Sequence, residues 1–447
     1  ARRGLGGGAV GRAVGGGGLD GGPEGGLGGG EGAAFLGRGE AAMGEEAAVA
    51  QAVMVERREA EGVGEGGEGI VVRLVEPGSA VVEGQAEGLA FRPGAAAHAL
   101  VLDLDAFEHN LDAMAALLAP TGAKLRAHAK THKSVVIAKL QMQRGAIGQC
   151  VQKVAEAEAL AWGGIPDVLV TNQVVSPRKL ARLAALAKIC KVSLCVDDAA
   201  QVAMAEQAAE AAGVRLPVLV EIDVGMGRAG VEHGPPAVAL AQRIAASRHL
   251  TFGGLQAYHG TAQHIRAPEE RAAAIAEAAA RSRRTVEQLK QRGLDCPIVG
   301  GAGTGTFRHE AASGVYTEIQ AGSYAFMDVD YARNEEAPPF RHALFVLAQV
   351  MSRATPGVAV VDCGHKGVAV DSGMPGVWER PGLRYAGASD EHGKILIEDG
   401  VPPALGEKLR LVPGHCDPTV DRYDWYVGVR KGRVECLWPI AARGGMA

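Results

Sequence analysis

From residue 98 to about 330 the chain alternates short apolar runs with alanine-rich helical stretches, and this alternation restricts the fold more than any other feature. After ALVLDLDAF (99–107) come AKLRAHAK (123–130), AIGQCVQK (146–153), DVLVTNQVV (167–175) and KVSLCVDD (191–198). LPVLVEIDVG (216–225), LTFGGLQAYHG (250–260), PIVGGAGTG (297–305) and VYTEIQAGSY (315–324) complete the series. Continuous apolar strands separated by helices belong to parallel sheets, which are covered on both faces. Eight such strands over about 210 residues predict a closed (β/α)8 barrel. An open doubly wound sheet is the alternative.

Beyond residue 330 the helical pattern stops and strands with Gly, Asp and Pro turns follow. Residues 331–447 therefore predict a C-terminal all-β domain after a barrel spanning 98–330. The strand at 99–107 precedes the barrel and is expected to join the β domain. Residues 1–95 hold nearly half of the 64 glycines. Such a stretch buries too little apolar surface to offset its ordering entropy. It is expected to be disordered or a targeting leader, with a short helix over about 40–60. Arg2, Arg3 and Arg12 hint at a transit peptide, and the glutamates that follow weaken the hint.

A net charge of -5 without a long basic stripe excludes a nucleic-acid binder. No run of 18 apolar residues occurs, so no membrane span is expected. Seven scattered cysteines with no CxxC pair predict a reducing compartment, cytoplasmic or organellar, rather than secretion.

Barrel enzymes do their chemistry at the C-terminal ends of the strands. The first strand ends in RAHAKTHK, with Lys130 between His128 and His132. A poised amine there can form a Schiff base with an aldehyde, above all that of pyridoxal phosphate (PLP). The other strand ends supply Gln152 and Lys153, Thr171 and Asn172, Asp223 and Arg228, then Tyr258, His259 and, just beyond, His264. The seventh ends in Gly303, Thr304, Gly305 and Thr306, and the eighth in Gly322, Ser323 and Tyr324. Barrels bind phosphate after their last two strands, through N–H groups freed by glycine together with hydroxyls.

GMGRAG (225–230) fits the dinucleotide fingerprint, but 235–257 lacks the acidic residue that the fingerprint requires. Its glycines are expected to turn Arg228 inward instead. In PGHCDP (413–418), His415 and Asp417 would face the same way on a strand, with Cys416 pointing away. That pair suits Mn, Mg or another oxygen-tolerant divalent ion.

Taken together, AHAKTHK, CVQKVAEAEAL, DVGMGRAGV, GLQAYHGTAQH, GGAGTGTF, TEIQAGSYAFMD and LVPGHCDPT resemble the D-threonine aldolase family. That family stands with the D-serine dehydratases among PLP enzymes built like alanine racemase. The resemblance spans about 98–447. It implies a homodimer acting on a small D-amino acid, with Lys130 carrying PLP and the 303–306 loop and 322–324 cradling its phosphate. It places Arg228 near the phenolate oxygen, Gln152, Asn172, Tyr258 and Gln320 around the cofactor, and the metal on His415 and Asp417. His264 matches the proposed base, with His259 as its neighbour. The implied reaction is retro-aldol cleavage to glycine and an aldehyde. The alternative is a dehydratase giving a 2-oxo acid and ammonia. Dehydratases of this group place Cys two residues after the His, where this chain has Asp417. Residues 96–98 read AAH where related chains read Asp-Thr-Pro.

Overall fold

A computed structural model describes residues 52–57, 70–75 and 98–446. Most of the glycine-rich leader lies outside the described residues. Where it is described, Ala52–Arg57 and Ile70–Val75 pair as antiparallel strands. The helix expected over 40–60 is therefore corrected at 52–57, and the rest of it lies outside the described residues. AVMVER and IVVRLV are rich in β-branched side chains, which favour a pleated ladder over a helix.

The eight predicted strands form a barrel. They are Lys124–His128, Gly148–Val151, Asp167–Gln173, Lys191–Val196, Leu216–Asp223, Leu250–Gln256, Ile298–Gly301 and Glu318–Ile319. Each is parallel to the next, and the eighth closes on the first through Glu318↔Lys124 and Ile319↔Leu125. The strands stop earlier than the apolar runs suggest, because the polar residues at each C-terminal end leave the ladder and form the rim. Near the opposite end the buried Arg126 guanidinium lies 2.7 Å from Glu318 and 2.6 Å from Asp167, tying the first, third and eighth strands. A charge taken out of water persists only when paired in this way.

Proline at the first turn starts the helices Pro177–Leu186, Pro235–Ala245 and Pro268–Gln291, where its missing N–H costs nothing. The strand expected at 99–107 ends at Asp103, whose carboxylate accepts from the Ala106 N–H at 3.0 Å and caps the helix Leu104–Leu118. Strand Ala99–Asp103 joins the β domain as expected. It lies between antiparallel Leu344–Ser352 and parallel Trp425–Arg430. A short helix, Cys416–Val420, interrupts the region expected to hold strands only, and another, Val329–Ala332, spans its expected start.

Barrel and β domain meet directly behind the loop that carries Lys130. Lys133, buried, pairs with Glu156 of the barrel at 2.8 Å and with Asp421 of the β domain at 3.0 Å. The Tyr426 hydroxyl donates to the His132 carbonyl at 2.8 Å. No helix among the described residues is long and apolar enough to cross a membrane.

Candidate active site

At the barrel's C-terminal mouth a cavity of about 260 Å³ is lined by residues from most of the strand ends. Lys130 projects into it from the turn after the first strand, and its Nζ is hydrogen-bonded to Asp417 Oδ2. Burial opposes the Lys130 charge, but the Asp417 carboxylate outweighs it and raises the ammonium above the usual lysine value. His128 lies beneath, with Nε2 3.0 Å from the Gln152 amide nitrogen and 3.2 Å from Thr171 Oγ1. Burial, helped by the Lys130 charge, pushes its imidazole well below the ordinary range. His128 is therefore a neutral imidazole.

Across the cavity, Gln256 and Gln320 exchange two amide hydrogen bonds, each 2.8 Å. Tyr258 sits between Lys130 and Arg228. Burial pushes its phenol up, and both cations oppose that shift. The Arg228 guanidinium lies 5.8 Å from the centre of the Tyr258 ring. GMGRAG brings it there by wrapping the Asp223 carboxylate, which accepts from Gly225 N–H at 2.9 Å and Gly227 N–H at 3.1 Å. Both glycines take left-handed backbone, φ 129° and 65°.

PLP fits this cavity. Thr304 Oγ1 is buried in its wall without a hydrogen-bond partner, an arrangement that asks for a polar ligand. Gly322 lets its loop pack against the turn that carries Lys130, since a Cβ there would strike the Thr131 hydroxyl and the His128 carbonyl. Gly303 and Ser323 complete that wall.

His415 and Asp417 come together, but not by strand alternation. His415 is the extended N-cap of the helix Cys416–Val420, and its Nε2 lies 3.8 Å from Asp417 Oδ2. Asp328, buried, holds His415 Nδ1 at 2.8 Å and accepts from the Cys416 N–H at 3.1 Å. A carboxylate on Nδ1 leaves Nε2 as the nitrogen available to a ligand, the usual outer arrangement where histidine binds a metal. Cys416 does not point away as a strand would have it. Its Sγ is buried, 3.5 Å from Asp417 Oδ1, and burial pushes its thiol well up, so it stays protonated. The donor set of imidazole and carboxylate suits a divalent ion.

Several expected residues stand elsewhere. Asn172 donates to the Gln152 carbonyl at 3.1 Å, bracing the rim from behind. Tyr324 is fully buried against Phe340, 5.6 Å between ring centres. Gly305 and Thr306 turn towards Gln263 rather than the cavity. His259 is partly exposed and contacts Thr261 at 3.2 Å. His264 is also outside the lining. Its Nδ1 lies 2.5 Å from Asp330, and its ring stacks on Tyr331 at 5.7 Å. Tyr331 does line the cavity, 6.2 Å from the His415 ring, so it stands between the two histidines.

Asp328, Asp330 and Tyr331 were missed from sequence, although MDVDY (327–331) directly follows the glycine cradle and carries paired acids. Gln256 was also missed. It stands two positions before Tyr258, close to the end of the sixth strand.

Comparison with known proteins agrees with this geometry. The family model described as alanine racemase, N-terminal domain, matches residues 102–330, and a putative serine dehydratase domain matches 343–429. The chain is similar to a 3-hydroxy-D-aspartate aldolase of Paracoccus denitrificans (strain Pd 1222), 48% identical over 354 residues, covering 77% of this chain and 91% of that one. It is also similar to a D-threonine aldolase of Arthrobacter sp, 47% identical over 348 residues, covering 77% and 92%. The crystal structure of D-threonine aldolase from Filomicrobium marinum superposes with a TM-score of 0.77 at 49% identity, covering 78% of this chain and 96% of that one. A D-threo-3-hydroxyaspartate dehydratase from Delftia sp. HT23 is more distant, with a TM-score of 0.68 at 30% identity, covering 76% and 96%.

Proposed function

We propose, because the chain belongs to the D-threonine aldolase family of alanine racemase-like enzymes, that its cavity performs that family's cleavage with the residues described above. The chain is a carbon–carbon lyase for D-3-hydroxy amino acids, releasing glycine and an aldehyde. D-Threonine would give acetaldehyde, and 3-hydroxy-D-aspartate would give glyoxylate. The observation that supports the assignment of roles is the hydrogen bond from Lys130, which lines the cavity, to Asp417, whose carboxylate stands 3.8 Å from His415 just outside the lining.

When bound, PLP supplies an electron sink for the carbanion at Cα and a divalent metal supplies a Lewis acid for the β-hydroxyl. Lys130 is the residue to hold the cofactor aldehyde. Thr304, Gly303, Gly322 and Ser323 would receive the phosphate, and Tyr258, Arg228, Gln152, Gln256 and Gln320 would surround the ring. His415 and Asp417 would hold the metal, Mn or Mg, with Asp328 fixing the imidazole. His264, oriented by Asp330, would take the β-hydroxyl proton from the rim side.

The active unit is a homodimer in this reading. Seven free cysteines fit a reducing compartment, cytoplasmic or organellar. The test incubates the enzyme with D-threonine, PLP and Mn, with and without chelator. Acetaldehyde and 2-oxobutanoate are measured in the same sample. Acetaldehyde with glycine, lost on chelation, supports the assignment. Oxobutanoate with ammonia would identify β-elimination, the reading that similarity to the dehydratase favours.

A further inference from the structure

We propose that Gln263 is a positioning residue that shapes the glycine-rich loop for the cofactor phosphate; the inference rests on the cofactor reading above. Gln263 is fully buried, in the 3-10 turn Thr261–His264 that follows the sixth strand. Every polar atom of its amide is engaged with that loop or with the turn itself. Its Oε1 accepts from the Gly305 N–H at 3.1 Å. Its Nε2 donates to Thr306 Oγ1 at 2.7 Å and to the His259 carbonyl at 3.2 Å.

The chemistry leaves no other orientation for the amide. A backbone N–H can only donate and a carbonyl can only accept, so Oε1 must face Gly305 and the NH₂ must face His259. The Thr306 hydroxyl has one proton, which it gives to Glu310 Oε1 at 2.7 Å, so it must accept from Nε2. Gln263, Thr306 and Glu310 thus form one directed chain. Gly303 and Gly305 pack against Gln263 so closely that a Cβ on either would collide with it. The Gln263 carbonyl is held in turn by Asn334 Nδ2 at 2.9 Å.

With Gly305 and Thr306 bound to Gln263, Thr304 is the hydroxyl of the GTGT loop that remains facing the cavity, buried and without a partner. Gln263 therefore decides which part of the loop meets the phosphate. Neither a carboxylate nor an apolar side chain can both accept from Gly305 and donate to Thr306.

The test compares dissociation constants of PLP and of pyridoxal, which lacks the phosphate, for the apo form of the full chain. Wild type, Gln263→Met and Gln263→Leu are titrated by cofactor absorbance. The preference of wild type for PLP over pyridoxal should fall about tenfold in both variants, while pyridoxal affinity stays within about twofold. An unchanged preference overturns the proposal, including the case where both affinities fall together, which marks a general loss of structure. A wild type that does not distinguish PLP from pyridoxal overturns the phosphate assignment of the loop itself. The two failures are thereby distinguishable.

Discussion

The Nζ of Lys130 donates a hydrogen bond to Oδ2 of Asp417, joining the mouth of the barrel to a short helix of the β domain 287 positions further along the chain. The contact puts the candidate cofactor lysine and the candidate metal carboxylate within reach of one small substrate. Burial disfavours the Asp417 charge, but Lys130 and His415 hold its carboxyl well below the usual carboxylate range. It is therefore a ready anion for a divalent cation.

Lys130→Ala should abolish the visible absorbance of bound PLP and lower turnover by about 10⁴-fold or more, the scale on which loss of a covalent catalyst acts. Absorbance spectra, with mass analysis after borohydride reduction, check it. A borohydride adduct on any lysine other than Lys130 would refute the assignment.

Asp328→Asn should weaken Mn binding by about 10–100-fold while leaving PLP absorbance intact, because the Asp328 carboxylate holds the His415 Nδ1. Activity should return at saturating Mn. Asp417→Ala should not be rescued so, and an Asp417→Ala enzyme fully active in chelator would refute the metal site. Metal titration under both conditions separates the two variants.

His264→Ala should lower kcat by about 10²–10⁴-fold, the usual worth of a general base, with PLP and Mn affinities retained. Asp330→Asn should give a smaller loss in the same direction, since Asp330 acts through His264. Steady-state kinetics at saturating Mn are the measurement. Full activity in His264→Ala would pass the proton transfer to another group.

Glu310 should make stability pH-dependent. Burial pushes its carboxyl up from 4.5 to about 7, because the acceptance from Thr306 only partly offsets desolvation. Between those values the unfolded chain has lost the proton and the native chain retains it. Stability contributed by Glu310 is therefore full below pH 4.5 and lost as pH rises through 7, by up to about 1.4 kcal/mol per unit. Glu310→Gln should flatten this slope in urea denaturation between pH 5 and pH 8, chosen to span about one unit beyond the native value. An unaltered slope would assign the dependence elsewhere.

Lys133→Ala should destabilise the protein by about 3–5 kcal/mol, since it leaves Glu156 and Asp421 partly buried without their cation. The urea midpoint measures it. A loss below about 1 kcal/mol would mean that water replaces the ammonium.

The barrel was legible because its signal is local. Each strand is one apolar run and each helix one alanine-rich stretch, so counting them predicted eight strands and placed Lys130 at the mouth. Polar residues at the strand ends named most of the lining, including Gln152, Arg228, Tyr258 and Ser323. Sequence order says where a residue stands along a strand, but not whether a loop residue turns towards the cavity. Thr306 and Tyr324 belong to the expected loops and yet turn away, one to Gln263 and Glu310, the other to Phe340.

His415, Cys416 and Asp417 show the limit most clearly. A strand reading paired His415 with Asp417 for the wrong reason, and the right one is a helix start capped from Asp328. What the sequence determined was the barrel, the β domain, the lysine at the barrel mouth and, through its motifs, the family. What only the tertiary structure decided was the meeting of Lys130 with Asp417, the clasp of Asp328 on His415 and the directed amide of Gln263. Periodicity records which face of an element is buried, whereas these contacts join residues far apart in sequence and depend on loop geometry that no short-range pattern encodes.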